Sequence, residues 1–376
     1  MTKVLLGDVV QINPSTKVSK GQSVKFISMD KLDPFTKIPN GYEKRKFSAG
    51  TKFTNGDTLL ARITPCLENG KTAFVDFLDD LEVAAGSTEF IILRNIEGLT
   101  DSGYIYYLSI SPAFRDYAIK SMVGTSGRQR VQNDVLAKME LNLPSIDQQK
   151  KIANILGSLD EKIELNRRMN ETLEQLGQAL FRHYFVDNSE AKSWDEGILG
   201  DIMNITMGQS PLGKSYNNNG DGVVFYQGRA DFGLRYPNMR LFTTDPKRFA
   251  KVGDVLLTVR APVGDVNQAS ERCCIGRGLA AISSRMGAVS FCYYYCRQLK
   301  ADFLEYNSEG TVFGSINSKQ LKALKLKIPP IDLVEKFENE VAVIDKTIKL
   351  NSHQIKTLIT LRDSLLPKLI SGEIET

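Results

Sequence analysis

The chain has 376 residues, 42% hydrophobic and 24% charged, with 13 Pro and 29 Gly, an ordinary globular composition long enough for two or three domains. Lys and Arg number 48 against 44 Asp and Glu, so the formal charge of +4 is compatible with nucleic acid without demanding it. No stretch approaches the ~20 apolar residues of a membrane span, and the opening MTKVLLGDVV is too short an apolar run for a signal peptide.

The chain holds five Cys without metal-ligand spacing and only two His, which argues against zinc. Cys273 and Cys274 are adjacent, and Cys292 and Cys296 share a helix face. Buried thiols in a cytoplasmic protein are the expectation.

In chain order, Leu6-Gly7-Asp8-Val9 comes first. Asn55-Gly56-Asp57 then reads as a turn feeding the strand Thr58-Leu59-Leu60-Ala61-Arg62, because Gly and Asp tolerate turn geometry and the following residues suit a sheet. Leu143-Pro144-Ser145-Ile146-Asp147 opens a helix that carries LDEKIELN at 159–166. The series then restarts with Leu199-Gly200-Asp201-Ile202. Val252-Gly253-Asp254 feeds Val255 to Arg260, and Ile328-Pro329-Pro330-Ile331-Asp332 opens a helix carrying IDKTIKLN at 344–351. Asp147 and Asp332 are separated by the same 185 positions as Asn166 and Asn351. Four echoes in one order make a tandem repeat.

The two helices are the clearest elements. In the second, Val334, Phe337, Val341, Ile344, Ile348, Ile355 and Leu358 alternate spacings of three and four, with Asn351 filling the gap; this is a coiled-coil seam. The first has Ile152, Leu156, Leu159, Ile163 and Asn166, then a less regular Met169, Leu173, Leu176 and Leu180. A run of ~40 residues reaches ~60 Å if unbroken. Asn166 and Asn351 take the inward position near the middle of each helix, and a buried polar group is costly unless partnered. The helices are therefore expected to pack antiparallel with these two Asn together at the crossing; the alternative is that each caps a helix break. Glu161, Glu164, Arg167, Arg168 and Glu174 are left on exposed faces, to dock partners or to meet solvent. The fold expected is α+β: two mixed α/β domains in tandem, over 1–146 and 188–331, and two helical spacers, 147–187 and 332–376, forming an antiparallel coiled coil.

Two variable α/β segments alternating with two similar helical segments resemble the specificity subunits of type I restriction–modification systems. The resemblance rests on Leu6-Gly7-Asp8 and Leu199-Gly200-Asp201, on Gly208-Gln209-Ser210-Pro211, on Gly124-Thr125 and Gly310-Thr311, and on the Pro and Ile-Asp entries to both helices; it covers essentially the whole chain. It implies two target recognition domains, each reading half of a split double-stranded DNA sequence, and helices that serve as spacer and as docking surface for two modification (methyltransferase) subunits. S-adenosylmethionine would sit on those partners, and ATP on the restriction/translocase subunits. This chain is then expected to hold no cofactor, no metal and no catalytic group, and to meet no membrane. Because the two domains differ in sequence, the target should be bipartite and non-palindromic. Half-sites one duplex turn apart are separated by ~34 Å, which long helices can span. Ser126-Gly127-Arg128-Gln129-Arg130 and Val312-Phe313-Gly314-Ser315 differ in length and charge, as domains reading different half-sites would.

Base reading needs Arg, Lys, Gln or Asn on loops, whose donors and acceptors match base edges in the major groove. The first domain offers Arg128, Gln129, Arg130, Gln132 and Asn133 after a Gly-rich turn. Lys44, Arg45 and Lys46 form a second basic run that touches phosphate or nothing, since Lys acts as a point charge. The second domain offers Gln227, Arg229, Arg235 and Arg240, interleaved with Tyr226, Phe232 and Tyr236 for stacking, plus Arg277 and Lys319. Arg62 and Arg260 each end the strand after a Gly-Asp turn. Their recurrence suggests a shared role, phosphate positioning or a structural ion pair, rather than base discrimination.

Gly208 to Ser215 satisfies the phosphate-loop pattern literally, but Tyr216 to Asp221 reads YNNNGD, turn chemistry where the mechanism needs a helix. Asn13-Pro14-Ser15 and Asp33-Pro34-Phe35 fall short of an amino-methyltransferase motif, and His183 and His353 assemble no triad. The competing classes are a self-contained methyltransferase or nuclease, and a protein-binding scaffold.

Overall fold

The computed structural model describes residues 2–303, 306 and 314–375; Gly310-Thr311 and Val312-Phe313 lie outside the described residues. The chain divides into two units, Met1–Asn166 with His353–Thr376, and Arg167–Ser352. The first long helix, Ile146–Phe181, and the second, Ile331–Ser371, each contribute residues to both units.

The first unit contains β1 (Thr2–Leu5), β2 (Val10–Ile12), β3 (Ser23–Ile27), β4 (Glu43–Lys46), β5 (Thr51–Phe53), β6 (Thr58–Ala61), β7 (Thr72–Phe74), β8 (Ala84–Gly86), β9 (Phe90–Asn95) and β10 (Glu140–Leu143). They form the sheets β2-β9-β6-β7 and β4-β3-β8-β5, and the ribbon β1-β10. The second contains β11 (Asp195–Ile198), β12 (Met203–Met207), β13 (Tyr216–Asn217), β14 (Val223–Tyr226), β15 (Phe242–Thr243), β16 (Phe249–Ala250), β17 (Val255–Thr258), β18 (Val266–Gln268), β19 (Cys273–Ile275), β20 (Leu279–Ser284) and β21 (Lys325–Ile328). Its sheets β12-β20-β17-β18 and β13-β15-β14-β19-β16, and its ribbon β11-β21, repeat the first plan with one added edge strand.

Strand alternation explains the layering. Within β6, Leu60 faces the cluster that holds Tyr104 to Leu108 and Leu156, whereas Leu59 faces Ile27, Phe53 and Ala73. β17 does the same: Val255 and Leu257 point to the helices, and Leu256 to the other sheet. A strand buried on both faces reads as an unbroken apolar run. The Gly-Asp turns that lead into these strands have a definite physical job. Gly56 and Gly253 both sit at φ +88, in the left-handed region that suits glycine. The fully buried Asp57 receives Thr54 N at 2.8 Å and both Arg94 Nε and Nη2 at 2.6 Å. Asp254 receives Lys251 N at 2.7 Å.

Within each unit the two long helices run antiparallel. In the first, Arg362 Nη1 meets Asp160 Oδ1 at 2.7 Å, and Asn166 Nδ2 donates to Gln354 Oε1 at 2.9 Å. In the second, Asn351 Nδ2 donates to Asn170 Oδ1 at 3.0 Å and the Tyr184 hydroxyl to Glu340 at 2.7 Å. Asn166 and Asn351 thus face the opposing helix as expected, but each takes a partner other than the one the sequence suggested. The irregular end of the first seam also needs correcting. Met169 and Leu176 are exposed, and the buried positions are Asn170, Glu174, Gly177 and Phe181. The seam continues there in polar and small residues, which an apolar search passes over.

Candidate nucleic-acid interface

Register between equivalent strands gives a residue-by-residue map of one domain on the other. Arg62 N donates to Glu89 O, and Val259 N to Gly278 O; Ile63 bridges Arg130, and Arg260 bridges Ser315. Arg62 therefore corresponds to Val259, and Arg260 to Ile63. The expectation that Arg62 and Arg260 recur in one role is overturned: they are one step apart, and one step along a strand reverses the side chain's face. Arg260 is exposed, whereas the half-buried Arg62 has an Nε without a hydrogen-bond partner among the described residues.

In the first domain the structure brings Arg62, Gln129 and Arg130 together. Thr64 N donates to Gln129 O at 3.0 Å, Arg130 grips Glu89 with Nε at 2.9 Å and Nη2 at 2.7 Å, and Gln132 Nε2 donates to Arg130 O at 3.1 Å. Arg130 holds the Glu89 carboxyl below its ordinary range. Arg128 stands exposed at the turn, and Asn133 begins a short helix, Asn133–Ala137, with Oδ1 buried. Lys44, Arg45 and Lys46 lie in the other sheet, on edge strand β4, all exposed. The Arg45 guanidinium covers the Phe26 ring at 3.1 Å, so its stem and charge shield core, while edge lysines deter strand pairing.

In the second domain, Asp231 organises the segment that carries Gln227, Arg229 and Arg240. Its carboxylate accepts Gln227 N at 2.7 Å and pairs with Arg240. Arg229 Nε meets Asp265 at 2.7 Å, and Arg277 N donates to Ser210 Oγ at 3.2 Å. The side chains of Gln227, Arg229, Arg240, Arg277 and Lys319 are exposed. Tyr226 and Phe232 are core residues instead of stacking platforms, and Tyr236 is half-buried.

Arg235 is the clearest correction among the proposed contacts. It is 1% exposed, with Nη1 2.9 Å from Glu174, Nη2 2.9 Å from Asp345 without hydrogen-bond alignment, Nε 3.0 Å from Gln268, and its guanidinium 3.5 Å from the Tyr293 ring centre. Glu174, expected on an exposed face, is buried beneath it and also pairs with Arg297. The first domain has the same device in weaker form. Lys37 O accepts Phe74 N as Arg235 O accepts Gln268 N, so Lys37 is the equivalent residue. Its Nζ lies 5.8 and 5.5 Å from the rings of Tyr106 and Tyr107. The Tyr107 hydroxyl donates to Asp160 at 2.7 Å, as Tyr294 does to Asp345 at 3.2 Å. Helical spacing alone leaves Glu174 on an outer face, and the cation that covers it comes from a distant segment of the chain.

The phosphate-loop pattern fails structurally. Gly213–Ser215 is one 3-10 turn followed by β13, and Gly208 is required because a Cβ there would meet Gly276 O at 2.2 Å. Among the described residues no group of His, Cys, Asp and Glu is placed to hold a metal ion, and no helix is long and apolar enough to cross a membrane.

Two α/β domains on one plan, each built onto antiparallel helices and each presenting a different row of Arg, Gln and Lys, define a tandem recognition protein. The family model for the type I restriction modification DNA specificity domain matches residues 1–175 and again 191–360, and the chain belongs to that family. It is 31% identical over 375 residues to the putative type I restriction enzyme MjaX specificity subunit of Methanocaldococcus jannaschii, covering 93% of this chain and 86% of that one. It is 23% identical over 410 residues to the HindI specificity subunit of Haemophilus influenzae, covering 85% and 86%. The crystal structure of a type I restriction-modification system S subunit from M. genitalium shares the fold at TM-score 0.58 and 18% identity, over 98% of this chain and 96% of that one.

Proposed function

We propose that this protein reads a bipartite, non-palindromic duplex DNA sequence, one half through each domain, and docks two modification subunits, with restriction–translocase subunits completing the complex. Chemistry stays with the partners: S-adenosylmethionine belongs to the modification subunits and ATP to the restriction subunits, in the cytoplasm. The supporting observation is that equivalent positions share a scaffold and differ in chemistry. Arg130 stands where the second domain has Ser315, Ile63 where it has Arg260, and Glu89 where it has Gly278. A repeated frame carrying unlike donors and acceptors suits two unlike half-sites.

Mapping methylated bases genome-wide, in cells carrying this subunit and its modification partner, tests the reading. One motif with two different halves and a fixed gap is expected. A palindromic motif, or a methylation pattern unchanged when the subunit is removed, would overturn it. Duplex affinity that falls steeply with salt separates the reading from a protein-binding scaffold.

A further inference from the structure

Next to the loops of the first domain lies a polar cleft of about 280 Å³, lined among others by Ser15, Thr51, Lys52, Arg62 and Thr88. Two cations and, with Thr16, four hydroxyls line it. The Glu89 carboxylate, which feels the charge of Arg62, is already gripped by Nε and Nη2 of Arg130, so the cleft keeps a positive balance.

The same place in the second domain follows from strand register. Thr51 pairs with Gly86 and Lys52 with Ala85, while Phe249 pairs with Cys274 and Ile275 N donates to Arg248 O. β3 on β8 and β14 on β19 align Gly86 with Ile275. Lys52 therefore corresponds to Phe249, and Thr51 to Arg248. Ala61 pairs with Phe90 and Thr258 with Leu279, so Thr88, two residues earlier, corresponds to Arg277, and Arg62 to Val259 as above.

Both cations of the first domain are thus replaced by apolar residues in the second, and two of its hydroxyl positions become arginines. Arg248 and Arg277 are both exposed there. The pair of charges persists while its attachment points move.

Domains that read unlike half-sites have no reason to keep two positive charges at one place, whereas the duplex backbone is the same in both halves. A phosphate needs only positive charge and hydroxyl or amide donors within reach, and tolerates exchange. We infer that each domain carries a backbone-phosphate clamp at this cleft, formed by Lys52 and Arg62 in the first and by Arg248 and Arg277 in the second. The inference rests on the DNA-reading function proposed above and separates residues that position the duplex from residues that read it. Lys52 and Arg248 belong to the positioning set. Arg128 and Gln227, whose exposed side chains pair with no carboxylate among the described residues, remain for bases.

The test uses the assembled complex of this subunit with its modification partners. Lys52→Met and Arg248→Gln, alone and combined, are measured by fluorescence anisotropy across a salt series, on the cognate duplex and on duplexes mismatched in either half-site. Each single variant should lower the slope of log affinity against log salt by about 0.9. Affinity for cognate and mismatched duplexes should fall by the same factor, leaving their ratio unchanged. Unchanged melting temperatures exclude misfolding as the cause. An unaltered slope overturns the clamp, and so does a cognate-to-mismatch ratio that changes in one half-site. If the wild-type complex itself fails to discriminate the duplexes, the specificity reading fails, while the slopes still decide the clamp.

Discussion

Replacing Arg235 by Met keeps an apolar stem of similar reach and removes the charge. It leaves the Glu174 side chain, 4% exposed, and Asp345, 17% exposed, facing the space the guanidinium filled. Removing one partner of a buried pair costs about 3–5 kcal/mol, because the remaining charge is uncompensated. Here Arg297 still holds Glu174, and Tyr294 still donates to Asp345, so the lower half of that range is expected. For a unit of 150–250 residues, each kcal/mol lowers Tm by about 2–4 °C, which gives a drop of about 6–16 °C for 3–4 kcal/mol.

Trp194 is the only Trp in the chain, lies in the same unit and is 9% exposed, so its fluorescence reports that unit's unfolding. The control is the same substitution in a Glu174→Gln, Asp345→Asn background, where no carboxylate is left without a counterion. The loss there should shrink by more than half. An Arg235→Met variant that melts within a degree or two of the wild type would refute the reasoning, as would an equal loss in the neutral background.

Two glycines of the first long helix should respond to alanine with opposite signs. At Gly157 the nearest atoms to a new Cβ, Lys37 Nζ and Tyr107 Oη, are 3.9 Å away, so Gly157→Ala should gain up to about 1 kcal/mol of helix propensity, seen as a raised urea midpoint. At Gly177 the Cβ would meet the Tyr294 hydroxyl at 2.1 Å, so Gly177→Ala should cost about 1–3 kcal/mol and lower the midpoint. Acid should act on the Arg130–Glu89 pair in a defined window. The Arg130 hydrogen bonds hold the Glu89 carboxyl below its ordinary 4.5, so the pair's contribution is complete above that value and is lost as pH falls through the lowered one. Carboxyl NMR titration should show Glu89 ionising below 4.5, and Arg130→Ala should return it upward; a wild-type midpoint at 4.5 would sink the claim.

The repeat, the two long helices and the Gly-Asp turns could all be read from the chain, because each is written in residues that are neighbours within a turn or a strand. A left-handed glycine followed by an Asp that accepts an amide three residues back, and an apolar residue every three or four positions, are local facts. The fate of the charged residues is not local. Arg235 looked like a base reader among Gln227, Arg229 and Arg240 until Glu174, 61 positions away, and Asp345 were found around it. Arg62 and Arg260 looked equivalent until strand pairing showed them one residue out of step. Asn170 and Glu174 extended a seam that hydrophobic periodicity could not trace. Backbone conformation answers to adjacent residues, so the frame is legible in the chain alone. Whether a charge meets water, DNA or a buried counterion depends on what folding brings against it from distant parts of the chain, and no local pattern records that.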